Sequence, residues 1–478
     1  MAVSGGPAKP PGRRVRLSAP PPTIPDPPPV RPEPTGSAAG PRTTGRTIVI
    51  FKTETPKTEI RSTLNRLAGI NELVTSADAG GNAAALAALD DAKAVHFERL
   101  GIAILDKQDA LPGLMAAAAG AGGPIMTVEP EYIAHLCSQG GLSRDYLKGF
   151  RDAAARLYDE AGNGDAAPAA SAAPAGPLAF ADTAQFTWGL QATGASVSRF
   201  TGRGAKVAIL DTGVDLQHRD FLGRLNNNSS FVENVETVQD IHGHGTHCVG
   251  TACGSARPAT GVRRYGVAPD AQIYVAKVFN DAPRPEALTA DVIAALEWAV
   301  ENGCHVASLS LGVAIDQEIE QYREPIRRAL LAGTLVIAAA GNNANRPGLP
   351  GFDSRYPATN GFVEAPANAS DAMAVAAVDA QLRLAAFSSR SSRVTGAGGI
   401  VNVAAPGVNV FSSVPTALGT HAALDGTSMA TPHVAGIAAL WHRATGLTGA
   451  ALWAKVVQSV RPLDIASADV GSGLVQAP

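Results

Sequence analysis

Apolar residues fall in short runs separated by polar turns, and the runs form two blocks. In the first block, Thr47-Ile48-Val49-Ile50-Phe51 reads as a strand and Glu59 to Leu67 has helical spacing. Ala94-Val95-His96-Phe97 and Gly101-Ile102-Ala103-Ile104-Leu105 read as two further strands. Asp109 to Ala119 has the character of a helix, and Pro124-Ile125-Met126-Thr127-Val128 closes as a strand. The order βαββαβ predicts a small ferredoxin-like α+β domain over residues 46–136.

The second block, from about Ala181 to the C-terminus, alternates buried strands with helices. Lys206-Val207-Ala208-Ile209-Leu210 runs into Asp211, and Gln272 to Val278, Val306 to Leu311 and Thr334 to Ala339 follow as strands. Asp291 to Asn302 and Glu318 to Ala332 are helices between them. This alternation predicts a parallel sheet covered by helices on both faces. Ligands of such sheets bind beyond the carboxyl ends of the strands, and Asp211 and Asn342 stand just past two such ends.

The segments outside the two blocks differ in composition. Residues 1–45 are rich in proline, glycine and arginine, with Pro20-Pro21-Pro22 and Pro27-Pro28-Pro29 favouring extended polyproline II. They read as a disordered leader or, more sharply, as a docking motif. Residues 137–180 form a connector: Asp145 to Glu160 has the spacing of a helix, and Ala161 to Pro177 is an Ala/Gly/Pro linker of the kind proteases nick.

The 478 residues, 45% of them hydrophobic, suffice for more than one domain with a sizeable core. A net charge of −3 without a long basic run gives no reason to expect nucleic acid as a partner. No run of about 18 apolar residues exists to span a membrane, and the N-terminus lacks the apolar core of a signal peptide. The expected location is therefore the cytoplasm, or outside the cell by a non-classical route. Cys137, Cys248, Cys253 and Cys304 are too few for a disulfide scaffold and read as free buried thiols.

Four strings carry chemistry: Asp211-Thr212-Gly213, His244-Gly245-Thr246-His247, Ala340-Gly341-Asn342 and Gly426-Thr427-Ser428-Met429-Ala430. A serine hydroxyl becomes a useful nucleophile only with a base in reach. Imidazole titrates near working pH, and a carboxylate fixes its tautomer and steadies its cation. A tetrahedral oxyanion needs preorganised donors. The strings supply Ser428 as nucleophile, His244 as base and then acid, and Asp211 as its orienting carboxylate. The Asn342 amide and the Ser428 N–H form an oxyanion hole. Ser428 opens a helix, whose N-terminus favours developing negative charge, and Pro432 lies in its early turns, where a missing N–H is tolerated best. Gly341 is expected to turn the backbone so that Asn342 faces the substrate.

These strings, with Gly266-Val267-Ala268-Pro269 and Ser310-Leu311-Gly312, resemble the subtilisin-like serine proteases from about Phe186 onward. The resemblance implies a subtilisin-like fold and endopeptidase activity on protein or peptide substrates, from a chain with no sign of being other than a monomer. It implies that substrate adds as a strand to Ser310-Leu311-Gly312, and that this segment with Ala339-Ala340-Gly341 lines the primary specificity pocket. Small residues there suggest a roomy, apolar slot. Thr289 and Val292 would serve a more distant subsite. Residues 46–136 resemble the inhibitory propeptide that acts on its own catalytic domain in cis. Its C-terminal edge is Val128-Glu129-Pro130-Glu131-Tyr132-Ile133, with autocleavage between about Leu136 and Phe186. The connector is longer than the family's usual junction, so cleavage need not be single.

No cofactor or metal is expected. Asp220 stands where many relatives place a structural-calcium carboxylate, but the partner loop Ser255 to Arg264 carries Arg257, Arg263 and Arg264, and hard cations want oxygen ligands. His242, His244 and His247 fall among glycines, without the spacing of a zinc-protease helix. His247 and His433 read as packed residues and Asp215 as a turn residue. Asp240 is either a cleft carboxylate for basic substrates or a loop cap. Cys248, behind His244, is either small-residue packing or a thiol whose modification blocks the site. The Arg346 to Glu364 insertion extends a loop on the oxyanion side. Two other readings stand beside the protease: a non-catalytic scaffold, and a latent protease that retains its propeptide as a regulator.

Overall fold

Ile48 and Ile50 face one core while Val49 and Phe51 face another, which is why the last four residues of β1 (Thr43–Phe51) read as an unbroken apolar run. The computed structural model describes residues 1, 41–79, 81–89, 93–106, 111–120, 122–137, 180–350, 352, 361–392 and 399–478. The expected leader, the connector helix and linker, and most of the tip of the 346–364 insertion lie outside them.

The N-terminal sheet has the order β5 (Ile125–Leu136), β1, β4 (Ile102–Leu105), β3 (Ala94–Phe97) and β2 (Val74–Thr75). Each neighbouring pair among the first four strands is antiparallel, in the ferredoxin-like order expected. The parallel strand β2 and helix α2 (Asn82–Ala87) are additions between α1 (Lys57–Ala68) and β3. Val49, Phe51, Ala103 and Leu105 pack on Ile60 and Leu64 of α1 and Leu114 of α3 (Leu111–Ala119). The opposite face joins the core of the second block.

That block is a seven-stranded, wholly parallel sheet. Its order is β14 (Val403–Pro406), β13 (Met373–Val378), β12 (Leu335–Ala339), β10 (Val306–Leu309), β6 (Lys206–Asp211), β8 (Gln272–Lys277) and β7 (Leu225–Ser230). Alternate residues serve two cores. Val207, Ile209, Val275 and Ile337 pack on α5 (His244–Cys253) and α8 (Thr427–Thr445), whereas Ala208, Leu210, Ala276 and Ala338 pack toward α6 (Thr289–Glu301) and α7 (Glu320–Leu331). Each fully buried Ile, Val or Leu contributes about 1.5–3 kcal/mol, so this two-sided burial holds the layers together. None of the described helices is long and apolar enough to cross a membrane.

Strand β5 ties the blocks together and continues past the expected edge at Ile133 to Leu136. Its residues Glu129 and Glu131, two apart, point the same way and meet two helix N-termini, where unpaired N–H groups attract anions. Glu129 accepts the Glu320 and Gln321 N–H groups, each at 3.0 Å, and the Gln321 side chain at 3.0 Å. Glu131 accepts the Ala290 N–H at 2.8 Å and the Thr44 hydroxyl at 2.6 Å. Glu129→Ala is expected to cost about 1–2 kcal/mol, as for a lost helix cap. The check is the denaturant midpoint of the full chain in the Ser428→Ala background; an unchanged midpoint would contradict this role.

Candidate active site

Asp211, His244, Ser428 and Asn342 reach the site from four different elements. Asp211 ends β6, and its Oδ1 accepts the Thr212 N–H at 2.7 Å and lies 2.7 Å from His244 Nδ1. Both side chains are buried. His244 opens α5, and the turn before it is built on Asp240. The Asp240 carboxylate accepts the His242 and Gly243 N–H groups at 2.9 and 2.8 Å, and the Thr246 N–H and hydroxyl at 2.8 and 2.6 Å. Of the two readings of Asp240, the loop cap is the one the structure has. Thr212 completes the frame, its hydroxyl donating to Asp240 at 3.0 Å and accepting the Gly245 N–H at 2.8 Å.

Ser428 lies in the first turn of α8. An N–H there has no carbonyl of its own helix to bind. It donates instead to the Cys137 carbonyl at 3.2 Å. The Ser428 hydroxyl donates to the Ser310 carbonyl at 3.1 Å, and His244 Nε2 has no hydrogen-bond partner among the described residues. The hydroxyl–imidazole bond expected of a triad is thus not formed here; such bonds are often loose until substrate is bound. Pro432, four residues on, cannot donate to the Ser428 carbonyl. That carbonyl accepts the Ser310 hydroxyl at 2.9 Å instead. Cys248 packs between the two helix starts, 3.9 Å from His244 Nδ1 and 3.6 Å from the Ser428 carbonyl. Burial pushes its thiol well up, so it is a packed neutral group.

Asn342 follows β12. Gly341 before it has φ +106°, a conformation that favours glycine. The Asn342 Oδ1 accepts the Thr427 N–H at 3.0 Å and the Thr427 hydroxyl at 2.9 Å, which fixes the plane of the amide.

The strand expected to add to Ser310-Leu311-Gly312 comes from the chain's own N-terminal domain. Leu136 and His135 of β5 pair antiparallel with Leu311 and Gly312, which form β11 (Leu311–Gly312). On its other side β5 pairs with β9 (Glu286–Leu288), an edge the sequence did not reveal. The Cys137 N–H donates to the Ser310 carbonyl at 3.4 Å. Thr289 reaches the same strand, its hydroxyl donating to the Tyr132 carbonyl at 2.9 Å.

The expected roomy, apolar slot is corrected by Glu364. Its wholly buried carboxylate lies against Gly312 and Gly341, where a Cβ at either position would collide with it. The Cys137 thiol donates to Glu364 Oε1 at 3.1 Å and the Asn343 amide to Oε2 at 2.8 Å, and His135 Nε2 lies 3.5 Å from Oε1. Burial raises the Glu364 pKa, but His135 and the hydrogen bonds from Asn343 and Cys137 outweigh it and hold the carboxyl below its usual range. His135 is raised in turn, Glu364 overcoming the burial that works against its cation. Lys277 is a further buried charge to which the sequence reading gave no role. It spans from the Thr212 carbonyl at 2.7 Å to Asp281 at 2.8 Å.

The remaining candidates have structural partners. His247 bonds the Val410 carbonyl at 2.9 Å and His433 the Met429 carbonyl at 2.8 Å. Asp215 accepts the Gln217 and Thr416 N–H groups at 3.0 and 2.8 Å. All four cysteines are free and buried. Around Asp220 the cluster of His, Cys, Asp and Glu side chains able to hold a cation, among the described residues, is one carboxylate and two imidazoles, His218 and His421. Asp220 already accepts the Tyr265 hydroxyl and the Ala259 N–H, each at 2.5 Å. Burial works against its charge, but the His421 imidazole 3.6 Å away and the bonds from Tyr265 and Ala259 draw its pKa down to about 2. Two imidazoles beside one already hydrogen-bonded carboxylate do not supply the oxygen-rich shell that calcium takes.

A family model described as the subtilase family matches residues 202–473. M-protease of Shouchella clausii is 40% identical over 256 residues, covering 53% of this chain and 58% of that protein. Thermitase of Thermoactinomyces vulgaris is 38% identical over 239 residues, 50% of this chain and 75% of that protein. Subtilisin Savinase of Lederbergia lenta is 40% identical over 256 residues, 53% and 82%. The chain thus spans little more than half the length of M-protease.

Proposed function

Because this chain belongs to the subtilase family, we propose that it is a serine endopeptidase made as a self-inhibited precursor, acting as a monomer on protein or peptide substrates. The observation that carries the reading is the Cys137 carbonyl on the Ser428 N–H, at the end of a strand laid along β11 and beside the Asp211–His244 pair. That is where the carbonyl of a scissile bond belongs.

In the reaction, Ser428 Oγ leaves the Ser310 carbonyl and bonds to the substrate carbonyl carbon while its proton passes to His244 Nε2. Asp211 holds the imidazole by Nδ1 and balances its positive charge. The oxyanion is held by the Ser428 N–H and the Asn342 side chain. Collapse breaks the C–N bond, with His244 returning the proton to the leaving amine. Water then attacks the acyl-enzyme by the same route. No step uses a metal.

Within the precursor the first bond in this position is Cys137–Ser138, inside the interval expected for maturation. Residues 43–137 act as the inhibitory propeptide, with β5 in the cleft. A latent protease differs only in keeping this strand bound.

Asn342→Ala is expected to lower kcat by roughly 10²–10³ with little change in KM, as for one lost oxyanion donor. Steady-state kinetics on a peptide substrate checks this, and a loss confined to KM would contradict the assignment. Reading the activity itself requires only a purified chain and a peptide anilide: hydrolysis blocked by a serine-directed fluorophosphonate is expected, and hydrolysis indifferent to it would exclude the mechanism.

A further inference from the structure

The buried carboxylate beside Cys137 has no part in the triad. Three side chains bond or ion-pair with Glu364 among the described residues: Asn343, Cys137 and His135. The last two belong to the segment that lies in the cleft. Departure of that segment leaves Asn343 on Oε2, while Oε1 loses the thiol and the imidazole that met it. An occupant that covers Oε1 without offering a donor or cation strips it of water and returns nothing, so the next occupant of the pocket is selected for supplying one.

Resting on the serine endopeptidase reading, we propose that Glu364 is the specificity-determining residue of the primary pocket and selects lysine or arginine on the acyl side of the cleaved bond. The short Cys137 side chain meets Oε1 at 3.1 Å, so a longer side chain enters only as the Glu364 carboxylate turns back into the pocket. Gly312 and Gly341, lacking side chains, leave the space that Glu364 occupies and flank the path of an entering stem. A lysine or arginine stem lies along these glycines and brings its charged end to Oε1, Arg donating from a planar fork and Lys as a point charge. Phenylalanine or leucine would bury Oε1 without a partner, and aspartate or glutamate would set two like charges together. The precursor's own segment meets the same demand differently: Cys137 supplies a thiol donor and His135, two residues back on the strand, a titratable base.

The test uses peptide anilides differing only in the residue before the anilide: Arg, Lys, Leu, Phe or Glu. They are assayed on the full-length chain as expressed and on Glu364→Gln and Glu364→Gly, with active sites counted by fluorophosphonate labelling. The expected result is kcat/KM for Arg or Lys above that for Phe by at least about 10²-fold, the scale on which a polar site rejects a substrate that cannot pair with it. Glu364→Gln is expected to lose most of this ratio, and Glu364→Gly to turn it toward Phe and Leu, with labelling retained in both. Labelled protein that prefers Phe or Leu, or a ratio unchanged in both variants, overturns the inference and leaves the protease standing. Absence of labelling and of hydrolysis for every substrate, both before and after limited tryptic removal of the N-terminal domain, overturns both.

Discussion

Replacing Ser428 by alanine is expected to remove peptide hydrolysis, a loss of about 10⁶-fold in kcat, and to leave the chain uncut. The size of the effect follows from covalent catalysis: without Oγ there is no acyl-enzyme, and what remains is positioning and the oxyanion donors. The fold tolerates the change. Oγ makes one bond, to the Ser310 carbonyl at 3.1 Å, while the Ser428 N–H and carbonyl keep their partners Cys137 and Ser310. The variant is therefore expected to keep β5 in the cleft as a stable precursor. Intact mass reads this directly: the full-length mass is expected, whereas a variant cut in purified form at the Cys137–Ser138 bond would show that maturation is not self-catalysed.

Asp211→Asn is expected to lower kcat by about 10⁴-fold while KM changes little. Asp211 Oδ1 serves two donors, the Thr212 N–H and His244 Nδ1, each at 2.7 Å. An asparagine oxygen can keep the Thr212 bond, so the loop survives. The charge that balances the imidazolium is lost, and a flipped amide would present N–H to Nδ1 and favour the wrong tautomer. The Asp240 frame around His244 does not compensate, because Asp240 bonds backbone and threonine groups rather than the imidazole. Kinetics at several pH values checks the role: a kcat within tenfold of the parent protein would contradict it.

Much of this molecule was legible in its sequence because two-sided burial and local chemistry leave local marks. The runs at Ile48 to Phe51 and Val207 to Leu210 are apolar at every position since both faces of their sheets are covered. The strings that meet at the candidate site were legible because each carries its own frame: Thr212 beside Asp211, Gly245 and Thr246 beside His244, Thr427 beside Ser428. Strand β7 was not legible, because Leu-Asn-Asn-Asn-Ser-Ser is polar and pairs on one side alone, with β8. Strands β13 and β14 are short alanine- and valine-rich runs without a motif beside them. Nor was the fate of the segment before Ser138 fully legible: the ferredoxin-like order was, but not that the strand runs on to Leu136 between two edges.

Glu364 marks the limit most clearly. It follows Phe362-Val363 in an insertion with no motif, and no spacing links it to Gly312 or Gly341. Its place in the pocket is set by contacts across the fold, from Asn343 on one side and Cys137 on the other. Small residues around a pocket therefore described its walls and not what projects between them.

The central claim is that Ser428 is an activated nucleophile whose cleft is first filled by residues up to Cys137. Incubation with a serine-directed fluorophosphonate, followed by intact mass and peptide mapping, tests it most directly. The account predicts a single adduct on Ser428, carried by a chain beginning at or after Ser138 and absent from the Ser428→Ala variant. A chain that stays unlabelled both before and after limited tryptic removal of its N-terminal domain, or an adduct mapped to another residue, would contradict it.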